Sequence, residues 1–451
     1  MNARTIVKKF VPRKLFRAIE PYGHGAEAVL LNALNNGSPA RKMKVIGVTG
    51  TNGKTTTAFL IHKMLQEAGY KTGLMTTVAY GAGTDIKPQI EHMTTVSVGQ
   101  LIKRLQELKR QNIEWLVMEV TSHALSQRRV YGVPFSVAVM TNITEEHLDY
   151  HGTFENYRDA KRRLFKLANK NKNGLRTGVI NAEDPSAELF ATDIKNPLTY
   201  GINKGDLRAE DVQMSDKGSR YKVKIGSDKY NITCNLPGSF NVYNSLAALA
   251  VGRAVGLSPR QIEQGIAALT EVEGRMTTVD AGQDFGVIVD YAHTPDSFEK
   301  LFRDMKPVVA GRMIAVFGSA GRRDEKKRAL QGELAGKYAD VVVITEEDDR
   351  DMDGQEIMEQ IAEGAKQAGK ELGKDLFLVH KREEAIEAAF KLAKKGDVVL
   401  LLGKGHEKSI LGGGPKAAQL RHLQQDDNNP QRVVERPYDE VKAAQAALKK
   451  L

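Results

Sequence analysis

The stretch KVIGVTGTNGKTTTAFLIHKMLQEAG, residues 44–69, carries an apolar run through a glycine-rich turn and into helical periodicity. KVIGVTG (44–50) reads as a buried strand, and TTAFLIHKMLQEAG (56–69) as the helix that follows it. Between them, GVTGTNGKTTT (47–57) has the chemistry of a phosphate-binding turn. Gly50 and Gly53 let the backbone wrap close to phosphate oxygens, and the helix N-terminus adds N–H groups and positive dipole. Lys54 is placed to reach β- and γ-phosphates and Thr55 to ligate Mg²⁺, with Thr51, Asn52 and Thr56 completing the candidate set. The spacing departs from G-x-x-x-x-G-K-[ST], because position 48 is Val and the nearest earlier glycine is Gly47. The alternative is an ordinary strand–helix glycine turn.

Outward from this turn, apolar runs alternate with amphipathic stretches, the pattern of an α/β fold. WLVMEV (115–120) and SVAVMTN (136–142) read as further parallel strands. Residues 207–236 change texture, alternating around Gly218 and Gly226 like antiparallel hairpins, which predicts a small appended sheet. Residues 238–269 read as two helices joined at Gly256 to Pro259. After Gly274 the alternation restarts with FGVIVD, MIAVFG, DVVVIT, LFLVH and DVVLLLG. The expected organisation is a basic, helical leader (1–43), a central P-loop parallel-sheet domain with its small antiparallel sheet (44–276) and a C-terminal Rossmann-like domain (277–451). The polar stretch QQDDNNPQRV (424–433) reads as a loop.

Composition narrows the class. The chain has 451 residues, 41% hydrophobic and 27% charged, with a mean hydropathy of −0.39, values ordinary for a globular protein of several domains. Apolar runs such as Val341 to Ile344 and Val398 to Leu402 fall far short of the ~20 residues of a membrane helix. One cysteine, Cys234, excludes an intramolecular disulfide and a cysteine-rich zinc site and fits a cytoplasmic chain. Of the net charge of +10, residues 1–44 supply +7: nine basic side chains (Arg4, Lys8, Lys9, Arg13, Lys14, Arg17, Arg41, Lys42, Lys44) against Glu20 and Glu27. The rest is nearly balanced, so no nucleic-acid partner is expected. A peripheral helix is the expectation for the leader, with weak membrane-surface contact as the alternative.

GTNGKTTT resembles the ATP-binding signature of the Mur ligases, which add amino acids to the peptidoglycan precursor. Further matching segments follow in the family's order: MEVTSHALSQRRV (118–130), TNITEEHLDYHGTFENYRDAK (141–161), GSFNVYN (238–244), EGRM (273–276), VDYAHTPD (289–296), GRRDEKKR (321–328) and LLGKGHE (401–407). HLDYHG, DYAHTPD and GKGHE are most similar to the branch that adds the third stem residue. The resemblance implies an ATP- and Mg²⁺-dependent, ADP-forming ligase acting through an acyl phosphate, with the domains closing over a cleft. It implies Glu119 and Thr55 on one Mg²⁺, His147 on a second, and Lys161 carried as a carbamate that accepts metal ions or their waters. It further implies Asn241 and Asn244 near the base, Asp290 near the ribose, and Arg275 at a hinge where the family usually has proline in place of Glu273. Thr94, Thr95, Thr121, Gln127 and Arg129 would hold the muramoyl-dipeptide acceptor.

The incoming amino acid is expected at Arg323, the loop after DVVVIT, Gly403 and Glu407. Relatives that add meso-diaminopimelate carry D-N-P-R in that loop. TEEDDRDMDG (345–354) keeps the arginine as Arg350 but places Asp348 and Asp349 where asparagine and proline stand. Arginine suits a distal carboxylate and the extra acids suit a cationic end. Diaminopimelate has both and is preferred over lysine; a solvated acidic loop is the bland alternative. Folylpolyglutamate synthetase is the enzymatic rival, and a non-catalytic Mur-like scaffold or amidotransferase partner the non-enzymatic one. A monomer acting on small-molecule substrates is expected.

Overall fold

The apolar run at 44–49 forms strand β1 (Lys44–Thr49), the middle of a nine-stranded sheet. The computed structural model describes residues 13–35, 37–89, 94–215, 217–322, 325–413 and 433–451. Two units separate between Thr270 and Glu271, so EGRM (273–276) belongs to the second.

In the first unit, β2 (Thr72–Met75), β3 (Ala79–Ala82), β4 (Asp85–Pro88), β5 (Trp115–Glu119), β6 (Phe135–Met140), β7 (Thr177–Asn181), β8 (Asn196–Gly201) and β9 (Leu207–Arg208) join β1 in the order β4-β3-β2-β5-β1-β6-β7-β8-β9. All neighbours are parallel except the β2–β3–β4 meander. β1, β5 and β6 are covered on both faces, hence their unbroken apolar sequences. Val48 pairs with Glu119 and Thr49 with Met140, so three strands end side by side. From β1 the chain passes to β2, beyond β5, and after β5 crosses to β6 on the other side of β1, the switch point at which open α/β sheets bind ligands.

The helices are α1 (Arg13–Leu34), α2 (Lys54–Glu67), α3 (Val98–Arg110), α4 (Ser122–Ser126), α5 (Leu148–His151), α6 (Phe154–Lys170), α7 (Ala187–Ala191), α8 (Ser239–Val255) and α9 (Pro259–Ala267). Thr153 starts α6 by accepting the Asn156 N–H at 3.2 Å, and Ser258 starts α9 with a capping box. Gly256 ends α8 in the left-handed region. The expected small sheet is β10 (Glu210–Ser215), β11 (Gly218–Ile225) and β12 (Asp228–Cys234), antiparallel throughout.

The second unit holds β13 (Thr277–Thr278), β14 (Gly286–Asp290), β15 (Met313–Phe317), β16 (Val341–Ile344), β17 (Leu376–Leu378) and β18 (Val398–Leu402) in the order β13-β14-β18-β15-β16-β17. Only β13 runs antiparallel to its neighbour. Its helices are α10 (Pro295–Met305), α11 (Lys326–Tyr338), α12 (Gly354–Gln367), α13 (Arg382–Leu392) and α14 (Glu440–Leu448). β19 (Ser409–Gly413) and β20 (Val433–Pro437) form a separate ribbon. Val433 thus opens a strand rather than closing the expected 424–433 loop, whose other residues lie outside the described ones.

Candidate active site

The turn after β1 is fixed mainly by segments that pack against it. Thr51 N–H donates to the Asn142 carbonyl at 2.7 Å and Asn52 N–H to Asn142 Oδ1 at 2.9 Å. Thr141 Oγ1 and Asn142 Nδ2 donate to the Asn52 carbonyl at 2.6 and 3.1 Å. Gly53 caps α2 at φ +80°, with the Asn244 side-chain oxygen where a Cβ would project. Any other residue there would be strained and would push Asn244 away. The first N–H groups of α2 have no partner within their own helix, and Thr55 and Thr56 in that turn are buried. Lys54 Nζ donates to the Thr51 carbonyl at 2.6 Å.

α6 brings Lys161 to the same turn. Its side chain is 2% exposed, Nζ donates to the Gly50 carbonyl and lies 4.5 Å from the centre of the Tyr157 ring. Burial, with the Lys54 charge beside it, pushes this amine well below the usual lysine range, against the opposing pull of Glu146. Tyr157 lies 2.9 Å from Thr51 Oγ1 and donates to Glu146 Oε2 at 3.4 Å. Its own burial, helped by Glu146, pushes the phenol well up, so it stays protonated.

Glu119 ends β5 and is buried. Its oxygens accept from Thr77 N–H and Thr77 Oγ1, each at 3.0 Å, and a carboxylate has lone pairs beyond those two. Thr77 Oγ1 also meets Thr94 Oγ1 at 3.0 Å. Thr95 Oγ1 donates to the Glu119 carbonyl at 3.2 Å and accepts from Thr121 N–H at 3.1 Å. His147 precedes α5 at φ +57°, with Nε2 3.6 Å from Glu146 Oε1. Its ring centre is 4.7 Å from that of His123, which also packs on Tyr150 and His151. Thr55 and Glu119 therefore offer oxygen donors. Among the described residues no three His, Cys, Asp or Glu side chains converge as a metal cage. This donor set fits Mg²⁺, which keeps several waters and shares substrate phosphates.

In the second unit the loops after β14, β15, β16 and β18 leave adjacent strand ends. Glu346, Glu347, Asp348 and Asp349 are all buried. Lys404, fully buried, donates to Asp348 Oδ1 at 2.9 Å and Glu407 Oε2 at 2.5 Å. Burial alone would lower this lysine, but Glu407 and Asp348 hold it above the usual range. Burial pushes Glu407 up, opposed by Lys404. Glu347 Oε2 is buried with no hydrogen-bond partner among the described residues and lies beside Gly403. Arg350 donates to the Gly321 carbonyl at 2.8 Å. Asp290 accepts from the Met276 and Ala292 N–H groups at 2.8 Å, and burial pushes its carboxyl up against the pull of Arg275.

Residues 48–252 match the Mur ligase middle domain, and 274–405 the glutamate ligase domain of Mur ligases. The chain is 43% identical over 389 residues to the UDP-N-acetylmuramyl-tripeptide synthetase of Roseiflexus sp. (strain RS-1), covering 84% of this chain and 76% of the relative. It belongs to the Mur ligase family. A second relative, UDP-N-acetylmuramoyl-L-alanyl-D-glutamate–2,6-diaminopimelate ligase 1 of Clostridium acetobutylicum, is 38% identical over 418 residues, covering 91% and 84%. Among solved structures, a UDP-N-acetylmuramoyl-L-alanyl-D-glutamate–2,6-diaminopimelate ligase matches with TM-score 0.61 at 29% identity, covering 96% of this chain and 83% of that one. Mycobacterium tuberculosis folylpolyglutamate synthase matches with TM-score 0.69 at 16% identity, covering 89% and 95%, a likeness of fold.

This Mur ligase places Lys54, Lys161 and Thr51 on one turn, and Glu119 with Thr94, Thr95 and Thr121 in one network. Other expected side chains are engaged in bracing. Asn244 accepts from Thr57 Oγ1 at 3.2 Å and donates to Asn241 Oδ1 at 2.8 Å, while Asn241 donates to the Pro237 carbonyl at 2.6 Å. Arg129 is buried and donates to the Thr95 and Val96 carbonyls. Gln127 caps the end of α4. Arg275 stacks on Tyr291, 4.6 Å from its ring centre. Arg323 lies outside the described residues. Sequence reasoning missed Thr77, Tyr157, Glu347 and Lys404. Tyr157, Glu347 and Lys404 lay inside quoted segments; Thr77 carried no signal of its own.

Proposed function

We propose that the protein is an ATP- and Mg²⁺-dependent ligase that adds the third stem residue, preferentially meso-diaminopimelate, to a muramoyl-L-Ala-D-Glu acceptor. The observation that carries this reading is the buried Lys161 amine on the carbonyl of Gly50, in a phosphate-binding turn, within a chain 43% identical to a tripeptide synthetase. An acceptor carboxylate oxygen attacks the γ-phosphorus of ATP, and the bond to ADP breaks. The amino group of the incoming residue then attacks the acyl carbon, phosphate leaves, and one proton is released with the amide.

The turn's N–H groups and Lys54 hold the phosphates and compensate charge that develops there. Thr55 and Glu119 would hold one Mg²⁺, and His147 with modified Lys161 a second; bound Mg²⁺ supplies charge neutralisation on the phosphate oxygens. Burial lowers Lys161 and so favours the free amine, whose lone pair adds CO₂ with loss of a proton to give the anionic carbamate. Tyr157 orients it from the ring face. Thr94, Thr95 and Thr121 take the acceptor, with Gln127 and Arg129 shaping the segment behind them. In the second unit Arg350 suits a distal carboxylate, while Glu347, Asp348 and Glu407 beside Gly403 suit an ammonium group.

The test is ADP release by purified protein with ATP, Mg²⁺ and UDP-muramoyl-dipeptide, offering diaminopimelate, lysine, ornithine or glutamate in turn, with the product weighed by mass spectrometry. Diaminopimelate-dependent release is expected. Strict dependence on lysine overturns the preference, and release with no amino acid in the product overturns the ligase.

A further inference from the structure

Glu346, Glu347, Asp348 and Asp349 follow β16 in one loop, and the ribbon β19–β20 grips that loop on either side of Glu347. Before it, Arg436 of β20 donates through Nη2 to Glu346 Oε1 at 2.6 Å. After it, the Leu411 N–H of β19 donates to Asp348 Oδ1 at 2.9 Å, and the Leu411 carbonyl accepts the Arg350 N–H at 2.8 Å. Arg436 pairs across the ribbon with Ile410, the residue before Leu411, so these bonds leave one short stretch of it. Arg350 stands at φ +58°, a left-handed conformation that a non-glycine residue keeps only where its surroundings hold it. The Leu411 carbonyl is such a hold.

The acids of the loop are thereby divided. Glu346 is held by Arg436 and by the Arg382 N–H at 3.1 Å, Asp348 by Lys404 and Leu411, and Asp349 by His380. Glu347 alone keeps a buried oxygen with no hydrogen-bond partner among the described residues, and that oxygen lies beside Gly403. A buried carboxylate oxygen in that state is costly until a donor meets it. Its direction follows from where its pinned neighbours stand on either side. Arg382 and Arg436 hold Glu346 in different ways. Arg382 is fully buried, and it also donates to the Leu402 carbonyl at 2.7 Å and pairs with Glu440 at 2.7 Å. The Arg436 side chain is 41% exposed, and its other partner is Glu383 on α13. A half-exposed ion pair adds little to stability.

We propose that Arg436 is a positioning residue for the incoming amino acid, holding Glu346 so that Glu347 meets an ammonium group of that substrate. The proposal rests on the ligase reading and is tested on the full chain by ADP release. Arg436→Met should raise KM for the amino acid about fivefold or more, with kcat and the KM values for ATP and acceptor within about twofold of wild type. Arg436→Lys keeps a cation for Glu346 and should recover most of the loss. Glu383→Gln removes the other partner and should leave the amino-acid KM unchanged. Arg436→Met combined with Glu346→Gln should be no worse than the worse single variant, because the arginine acts through that carboxylate. Amide exchange reads the placement without turnover: peptides spanning 346–350 should exchange about tenfold faster or more in Arg436→Met, with β15 unchanged. An unchanged amino-acid KM, an equal loss in Glu383→Gln, additive losses in the double variant or unchanged exchange at 346–350 would each overturn the proposal. A wild-type protein whose ADP release depends on no amino acid would overturn the ligase reading instead, and exchange would then decide whether Arg436 places the loop.

Discussion

Two buried lysines in this protein, one on helix α6 and one in the loop after β18, meet opposite outcomes. Lys161, beside the phosphate-binding turn, falls well below the usual range through burial, with the Lys54 charge adding to the fall and Glu146 opposing it. Lys404, in the second unit, has Glu407 and Asp348 within hydrogen-bond distance and is held above it. Desolvation acts against the cation in both, and only at Lys404 do hydrogen-bonded carboxylates outweigh it. The first unit thereby favours the uncharged form of its lysine beside a backbone carbonyl. The second keeps a permanent cation that organises a cluster of buried carboxylates.

The largest expected effect tests the Lys161 amine. Lys161→Ala should lower ligation by about 10³-fold or more while circular dichroism stays native, because the lost group acts on developing charge rather than on packing. Lys161→Arg should be as inactive, since a guanidinium stays charged and forms no carbamate. Turnover retained by either variant removes Lys161 from the chemistry. Loss without any carbamate signal in the carbon-13 spectrum of labelled wild-type protein would leave the amine essential but unmodified.

Lys404→Met tests the other side of the comparison. Asp348 and Glu407 would be left buried without their cation, and breaking such a pair costs about 3–5 kcal/mol. Urea unfolding should show that loss at neutral pH and a smaller one in acid, where the stranded carboxyls take up protons. A loss under about 1 kcal/mol would mean that the lysine is incidental to the cluster.

The sequence exposed those elements whose physics is local. Strand β1, the turn at Gly50 and Gly53 and helix α2 follow from apolar run, glycine and periodicity within one stretch of chain. The five strands of the second sheet that run between helices read out equally well, because parallel strands covered on both faces need unbroken apolar sequence. What stayed hidden depends on distant partners. No local signal places Asn244 behind Gly53, where it accepts from Thr57. Arg129 lies far along the chain from the Thr95 and Val96 carbonyls to which its guanidinium donates. Thr77 lies in MTTVAYG (75–81), unremarkable until β2 and β5 pair and set it against Glu119. The downward shift of Lys161 arises from its burial against the turn at Gly50 and from Lys54, at a chain separation that no motif spans.

Asp349 carries the comparison to a single carboxylate in the loop after β16. It is buried, and Glu346 and Glu347 add to the burial in pushing it up to about 6, while His380 Nε2 at 2.9 Å pulls the other way. Its ordinary value is 3.8, so between these two values the folded chain binds more protons than the unfolded one. Stability contributed by this residue is therefore present in acid and is lost as pH rises from about 4 to about 6, by an amount on the order of 3 kcal/mol. Asp349→Asn keeps an acceptor for His380 and removes the ionisation. Relative to wild type, the variant should match it near pH 4 and be more stable by up to about 3 kcal/mol near pH 7.5, read from urea midpoints across that range. A difference that does not change with pH would mean that Asp349 is not held protonated by its acidic neighbours, and that Lys404 alone sets the charge of the cluster.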